Sequence, residues 1–377
     1  MSHHEAFLGA LRDHGVTFFT GVPDSYLHGF CTLLRETAER NDNVICANEG
    51  NAIGVAVGHY LATGEMPLVY MQNSGEGNAV NPLASLACEE MLSVPMILLI
   101  GWRGDPYHKD HVQHKLQGEA TPLILDDLGI AHLTLPDDEE GVRETVAQSV
   151  DRARERHAPV GILVPKGILN GTKTFGVEDG DYPSRWEAID AVIDAIPSDA
   201  ICCASTGRAA RELYYVRESR GEGHACDYLN VGSMGHNSSV ALGMALAHPD
   251  RQVVVLDGDA AVIMHMGSLA VEGQYAPRNL LRVTLNNAQH ESVGGQPSAG
   301  RTTNLTGVAA ACGYATVEFG PAISTGDIAA AIAELSKADR PAFLDVYIRS
   351  GIRKGLPGLE VDPRAMRDGL MEELGVD

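Results

Sequence analysis

The stretch VVVLDGDAAVIMHMG, residues 253–267, decides how this chain is read. Val253, Val254, Val255 and Leu256 form a short continuous apolar run, the pattern of a strand buried on both faces. The run ends in Asp257-Gly258-Asp259 and then turns apolar again. Two carboxylates at the end of a core strand have an ordinary explanation, a turn into a helix capped by Asp. They also have a sharper one, a site for a cation or a phosphate. The stretch alone is compatible with both.

Working outward, the same alternation of strand and helix runs through the chain. Apolar runs at 16–20, 44–46, 68–71, 95–100 and 160–164 predict strands. Between them, helices are predicted from a cap at Asp24 or Ser25 to about residue 40, over 52–63 with Gly64 as the stop, and over 79–92. A Gly-, Asp- and Pro-rich segment follows and reads as a linker, 171–185. The pattern then restarts, with strands at 200–203, 252–256, 280–285 and 342–348 and helices over 186–196, from about 209, and over 264–273. Continuous apolar strands separated by helices predict parallel sheets covered on both faces, in two domains, 1–170 and 186–377. A length of 377 residues, 44% of them hydrophobic, suits two such cores.

Composition narrows the function. A net charge of −22 argues against nucleic-acid binding. It also requires that any anionic substrate be held by a local basic cluster working against the overall field. Arg103, His108, Lys109, His111, His114 and Lys115 form one dense basic segment after a strand. It suits an anionic head group, although a solvated loop of mixed charge explains any single member equally well. Seven cysteines form no CxxC pair and no His/Cys ligand spacing, which predicts reduced, mostly buried thiols and a cytoplasmic setting. No signal-peptide pattern opens the chain, and no apolar run approaches the ~20 residues of a membrane span.

Asn286 and Asn287 follow Asp259 by 27 and 28 positions, with a helix and a strand between. A βαβ unit of that size returns the second strand beside the first. An Asp from one strand end and an Asn from the other then meet at one ion. Hard oxygen ligands, few in number, suit Mg²⁺ completed by phosphate oxygens and water. Small residues at Gly258 and Ala260 let backbone N–H groups approach a diphosphate.

The turn Gly258-Asp259-Ala260 with the pair Asn286-Asn287 resembles the thiamine diphosphate signature. Four further motifs stand in the order found in phosphonopyruvate decarboxylases: GVPDS (21–25), ANEGN (47–51), GSMGH (232–236) and HESVGGQ (290–296). IGWRG (100–104) and residues 113–118 fit as well. The resemblance covers nearly the whole chain and weakens after about Gly351; sulfopyruvate decarboxylases share much of the pattern.

The resemblance implies an α/β protein of two thiamine diphosphate-binding-fold domains, pyrimidine-binding first and diphosphate-binding second. It implies thiamine diphosphate and Mg²⁺ as cofactors. It also implies a homo-oligomer, because in such folds the cofactor lies between domains of different subunits. Glu49 matches the cofactor-activating glutamate, where an apolar setting favours the neutral acid and suits proton exchange; a helix N-terminal carboxylate is the ordinary reading. Thr206, Gly232, Ser233, Met234, Gly258, Asp259, Ala260 and Asn287 fall at cofactor-binding positions, with Met234 as an apolar wedge. Asp259, Asn287 and the carbonyl of Gln289 match the Mg²⁺ ligands, with Asn286 the alternative to Asn287. Asp24, His114 and Glu291 are candidates for proton transfer, and Ser25, Arg103, Lys109 and His290 for substrate contact.

Several positions depart from the family. Ala260 replaces the commoner Gly, Asn286 stands where Asp is frequent, Val293 where Thr is frequent, and the loop YHKDH (107–111) differs. The implied reaction is non-oxidative decarboxylation of 3-phosphonopyruvate to phosphonoacetaldehyde and CO₂, in phosphonate biosynthesis. The alternatives are sulfopyruvate or another acidic 2-oxo acid as substrate, carboligation, or a non-catalytic subunit of the same fold. A nucleotide-dependent dehydrogenase is disfavoured, since no GxGxxG follows a strand.

Overall fold

The computed structural model describes residues 2–171, 180–318, 320–359 and 361–376. Most of the predicted linker, residues 172–179, lies outside the described residues. The chain divides into two compact units, Met1–Phe175 with Val293–Gln296, and Gly176–Ser292 with Pro297–Asp377.

The first unit is built on six strands: β1 (Phe19–Gly21), β2 (Asn43–Ile45), β3 (Leu68–Gln72), β4 (Met96–Gly101), β5 (Ala131–Thr134) and β6 (Pro159–Val164). They lie in the order β2-β1-β3-β4-β6-β5, and every pairing is parallel. The central strands are apolar throughout because both faces are covered. Leu68 and Tyr70 of β3 and Ile97 and Leu99 of β4 pack into one core with Phe7, Phe30 and Val146. Val69, Met71, Leu98 and Ile100 point the other way, against Ile53, Val57 and Leu125. Alternate side chains thus feed opposite cores, as the pleat requires.

The helices of this unit are α1 (His3–Asp13), α2 (His28–Thr37), α3 (Glu49–Thr63), α4 (Glu76–Pro82), α5 (Val112–Asp127) and α6 (Glu139–Arg156). Three sequence expectations are corrected. Neither Asp24 nor Ser25 caps α2: its N-cap is Leu27 with no side-chain bond, and Asp24 instead accepts the Tyr26 N–H at 2.8 Å. The helix after β2 starts at Glu49 rather than 52, because Asn48 caps it by accepting from Asn51 N at 2.9 Å. The expected helix 79–92 begins at Glu76, loosens into a π turn over Leu83–Ala87 after Pro82, and stops at Cys88. Proline lacks the N–H that a regular ladder needs there.

The main sheet of the second unit has five strands, β7 (Ile201–Ala204), β8 (Asp227–Leu229), β9 (Val253–Gly258), β10 (Leu280–Asn286) and β11 (Ala342–Tyr347). All are parallel, with β11 beside β10, then β9, β7 and β8. Val254 and Leu256 enter one core with Leu213, Leu281 and Val283, while Val253 and Val255 enter another with Ala241 and Leu280. Helices α7 (Arg185–Ala195), α8 (Arg208–Arg220), α9 (Asn237–Ala247), α10 (Asp259–Met264) and α11 (Ser268–Tyr275) lie between or beside the strands. The single helix expected over 264–273 is therefore two, broken at residues 265–267.

The strand itself answers half of the opening question. Asp257 is wholly buried and accepts from Arg282 Nη2 at 3.2 Å and Asn237 Nδ2 at 3.2 Å. Arg282, equally buried, also pairs with Glu272 at 3.2 Å, and Glu272 accepts the Tyr314 hydroxyl. Buried charges persist only when partnered in this way. Asp257 is thus a structural residue. All seven cysteines are free thiols, four of them buried. Among the described residues no helix is long and apolar enough to cross a membrane.

Candidate active site

The C-terminal ends of β9 and β10 are neighbours, with Leu285 opposite Gly258 in the register. Neither aspartate of the opening stretch is a cap: Gly258 is the N-cap of α10, without a side-chain bond, and Asp259 is its first residue. Asp259 is buried, and its carboxyl takes the Ser298 hydroxyl and the backbone N–H of Asn287. Burial outweighs these bonds and pushes it up to about 6. A Cβ at Gly300 would run into this carboxyl and into Asn286 Oδ1, so residue 300 has to be small.

The two asparagines occupy different settings. Asn286 donates to the Gly300 carbonyl at 2.9 Å and to Asp345 at 3.2 Å, and its Oδ1 accepts from Ala288 N at 3.1 Å. Asn287 donates to Glu291 Oε2 at 3.1 Å, and its Oδ1 accepts the longer bond from Gln289 N at 3.3 Å. Asp345, on β11, went unnoticed in the sequence; burial, with the nearby charge of Asp259, pushes it up to about 7. Gln289 donates to the Ser350 hydroxyl. Among the described residues no three His, Cys, Asp or Glu side chains cluster as a metal cage. Asp259, Asn287 and the Gln289 carbonyl instead offer one carboxylate, one amide and one backbone oxygen. That donor chemistry fits a hard divalent cation whose remaining ligands come from a diphosphate and water.

The loop after β8 holds Ser233 at φ +50 and Gly235 at φ +85. Ser233 is thus a side chain in the left-handed region, exposed, and followed by half-buried Met234. A Cβ at Gly235 would meet the His265 ring. Such strain is retained where a loop must present its residues in one fixed way. Gly232 donates its N–H to Asn230 Oδ1 at 3.1 Å. Thr206 lies in the turn between β7 and α8, and Ala260 in the first turn of α10, both half-buried. Burial pushes His290 down to about 4. Glu291, expected as a proton-transfer group, has both oxygens occupied by donors: Arg185, Arg208, Asn287 and Gly351 N–H.

In the first unit, Glu49 opens α3 and is buried. Asn78 Nδ2 donates to its Oε2 at 2.8 Å, and a Cβ at Gly75 would collide with the carboxyl. Burial raises its pKa and the Asn78 bond partly offsets this. Residue 75 therefore forms one wall of a cradle that only glycine leaves open. Beside it lies Glu76, which the sequence reading passed over. It is buried and pushed up to about 8 by desolvation. Thr121 Oγ1 lies 2.8 Å from Glu76 Oε2 and 2.8 Å from the Gln117 carbonyl. One hydroxyl proton cannot serve both acceptors at once; the O–H of a neutral Glu76 can donate to Thr121 Oγ1 and free the Thr121 hydroxyl to donate to the Gln117 carbonyl.

A pH-dependent stability follows. Glu76 has its folded pKa raised above the unfolded 4.5 to about 8, so its contribution is best below 4.5 and declines as pH rises towards 8. Glu76→Gln removes that decline. Unfolding free energies measured at pH 5 and pH 8 should differ less in the variant than in the parent. An unchanged difference would show that Glu76 is ionised in the native state.

Asp24, Ser25 and Arg103 are brought together. Asp24 is buried and pushed up to about 6 by burial, with Oδ1 lacking a hydrogen-bond partner among the described residues. Arg103 grips Asp110 with Nε and Nη2, each at 2.6 Å, and turns Nη1 towards Ser25 Oγ at 3.4 Å. The expected basic segment is corrected to a mixed one. Asp110 neutralises Arg103, Asp105 holds His108 at 2.8 Å, and Lys109 is exposed, outside this group. His114, in the first turn of α5, has its Nδ1 3.1 Å from Gln117 Oε1; burial and then the Arg103 charge hold its pKa below the usual value.

Comparison with known proteins accounts for both units. Residues 1–124 match the thiamine pyrophosphate enzyme N-terminal TPP binding domain, and residues 205–346 the corresponding C-terminal TPP binding domain. The chain is 35% identical over 373 residues to a phosphonopyruvate decarboxylase of Streptomyces viridochromogenes, covering 94% of this chain and 91% of that one. It is 33% identical over 373 residues to the phosphonopyruvate decarboxylase of Streptomyces hygroscopicus, with 94% and 90% covered. A sulfopyruvate decarboxylase of Methanosarcina acetivorans is 25% identical over 395 residues, with 99% and 97% covered. The two parallel α/β units are thus thiamine pyrophosphate-binding domains, and the chain belongs to the phosphonopyruvate decarboxylase family of thiamine pyrophosphate enzymes, a carbon–carbon lyase acting on a 2-oxo acid.

Proposed function

We propose that the enzyme decarboxylates 3-phosphonopyruvate to phosphonoacetaldehyde and CO₂, without oxidation, in phosphonate biosynthesis in the cytoplasm. The observation that carries this reading is the 35% identity to a phosphonopyruvate decarboxylase across 94% of the chain. Arg103 supports it through the part of its guanidinium that Asp110 leaves open: Nη1, turned towards Ser25 Oγ at 3.4 Å, is a donor for a second anionic group on the substrate. The Methanosarcina relative favours sulfopyruvate as the second reading.

Thiamine diphosphate, when bound, supplies the sink for the electron pair left by departing CO₂. Asp259, Asn287 and the Gln289 carbonyl would hold Mg²⁺, and Gly258, Ala260, Thr206 and the 232–234 loop would line the cofactor. Glu49 holds or releases a proton at its carboxyl, with its neutral form favoured by burial. Asp24, pushed up to about 6, exchanges a proton near neutral pH. His114, held neutral by burial and Arg103, offers an acceptor nitrogen. Arg103 and Ser25 contact the phosphonate, with Lys109 and His290 as further candidates. The working form is a homo-oligomer.

The test offers phosphonopyruvate, sulfopyruvate and pyruvate to the protein with thiamine diphosphate and Mg²⁺, following CO₂ and aldehyde. Phosphonopyruvate should turn over fastest, and a faster sulfopyruvate rate would transfer the assignment to it. Arg103→Ala should raise KM for the phosphonate substrate roughly ten- to hundredfold, the loss of one charge-assisted hydrogen bond of about 1.5–3 kcal/mol. It should leave KM for pyruvate nearly unchanged.

A further inference from the structure

Glu291 sits at the convergence of two helix starts. Arg185, the first residue of α7, reaches its Oε2 at 2.5 Å, and Arg208, the first residue of α8, reaches its Oε1 at 2.5 Å. The Gly351 N–H also donates to Oε1, and Asn287 Nδ2 to Oε2 at 3.1 Å. Arg185 is buried and is itself steadied by Glu212 at 3.4 Å and the Gly351 carbonyl at 3.1 Å. The carboxylate is therefore fixed in place from four sides.

An ionised carboxylate is acceptor-only. Asn287 must present its NH₂ group to Glu291, and its Oδ1 is turned to the opposite side. A flipped amide would aim NH₂ where a cation needs oxygen. We propose that Glu291 is a positioning residue: it orients the Asn287 amide and so sets the affinity for the divalent cation, rather than transferring a proton. The inference rests on the reading of Asn287 as a metal ligand. Supporting groups of this kind commonly govern metal affinity by 10–100-fold.

The test is Mn²⁺ binding, followed by electron paramagnetic resonance, to the full chain with thiamine diphosphate. Glu291→Ala should weaken Mn²⁺ roughly 10–100-fold. Its kcat should recover as metal is raised to saturation. An unchanged Mn²⁺ affinity, with kcat still lost at saturating metal, would overturn the proposal in favour of proton transfer. Asn287→Ala separates the two layers. If it leaves Mn²⁺ affinity unchanged, the ligand reading fails. If it weakens binding while Glu291→Ala does not, only the positioning role fails. Removing Glu291 leaves Arg185 short of a partner in a buried site. Should the single variant not fold, Arg185→Met/Glu212→Met/Glu291→Met removes Arg185 together with both of its carboxylate partners and carries the same expectation.

Discussion

Glu49→Gln should lower kcat by roughly 10²–10⁴-fold, the usual worth of a placed proton-transfer group, while leaving the fold and cofactor binding intact. Glutamine has nearly the same shape, so it fits the cradle beside Gly75 and still accepts from Asn78 Nδ2. What it lacks is an ionisable proton. The buried setting makes the variant a clean test. Burial already favours the neutral acid at this position, so a neutral amide costs little stability. Thermal unfolding should therefore give a Tm at or above that of the parent. The pH profile adds a second readout. Because burial raises the Glu49 pKa, any limb that it contributes should lie above the range of an ordinary glutamate. A variant with full activity would remove Glu49 as the activating residue. A variant that loses activity together with its fold would show only that the cradle tolerates no change.

How much of this was legible in the sequence depended on whether burial left a mark in residue type. Strands β3, β4, β6 and β9 are largely apolar because they are covered on both faces, and each reads directly as a continuous run, whereas β10, equally buried, breaks its run with Arg282 and Thr284. Strand β5 is an edge strand, only partly covered, and its Ala-His-Leu-Thr carries no such mark. Helix α6 has a polar sequence with buried residues spaced along one face, and it went unread beside the louder strands. Site residues followed the same rule. Asp259 and Asn287 were legible because each stands directly after a strand, and a βαβ unit of that size pairs the two strands. Asp345 was not, since it joins Asn286 only through the sheet order that sets β11 beside β10. Glu76 hides in Asn-Ser-Gly-Glu-Gly-Asn, a stretch with every sign of an exposed turn; the contacts of Thr121 reveal it as buried. The basic segment misled because its charges were counted without their partners. Asp105 and Asp110 lie inside it and take up His108 and Arg103.

Asp259→Ala should abolish cation binding, with an affinity loss on the order of 100-fold or more, at or beyond the upper end of what supporting groups cost. The reason is charge. Asn287 and the Gln289 carbonyl are neutral, so Asp259 is the one proposed ligand that attracts a divalent ion over distance. The metal-free protein should respond in the opposite sense. Asp259 has its folded pKa raised from 3.8 to about 6, so the stability it contributes is full below 3.8 and is lost as pH rises through about 6. At pH 7.5 without metal, the alanine variant should thus unfold no earlier than the parent, since it carries no buried charge to accommodate. Adding Mg²⁺ with thiamine diphosphate should then separate them. The parent gains stability by mass action, because the cation binds the native state alone. The variant gains only what the cofactor brings without the metal. For the parent, that gain should shrink as pH falls below about 6, where protons compete with Mg²⁺ for the carboxylate. A Mg²⁺-dependent rise in Tm that survives Asp259→Ala would place the cation elsewhere and return the second aspartate of VVVLDGDAAVIMHMG to the role of a buried acid at a strand end.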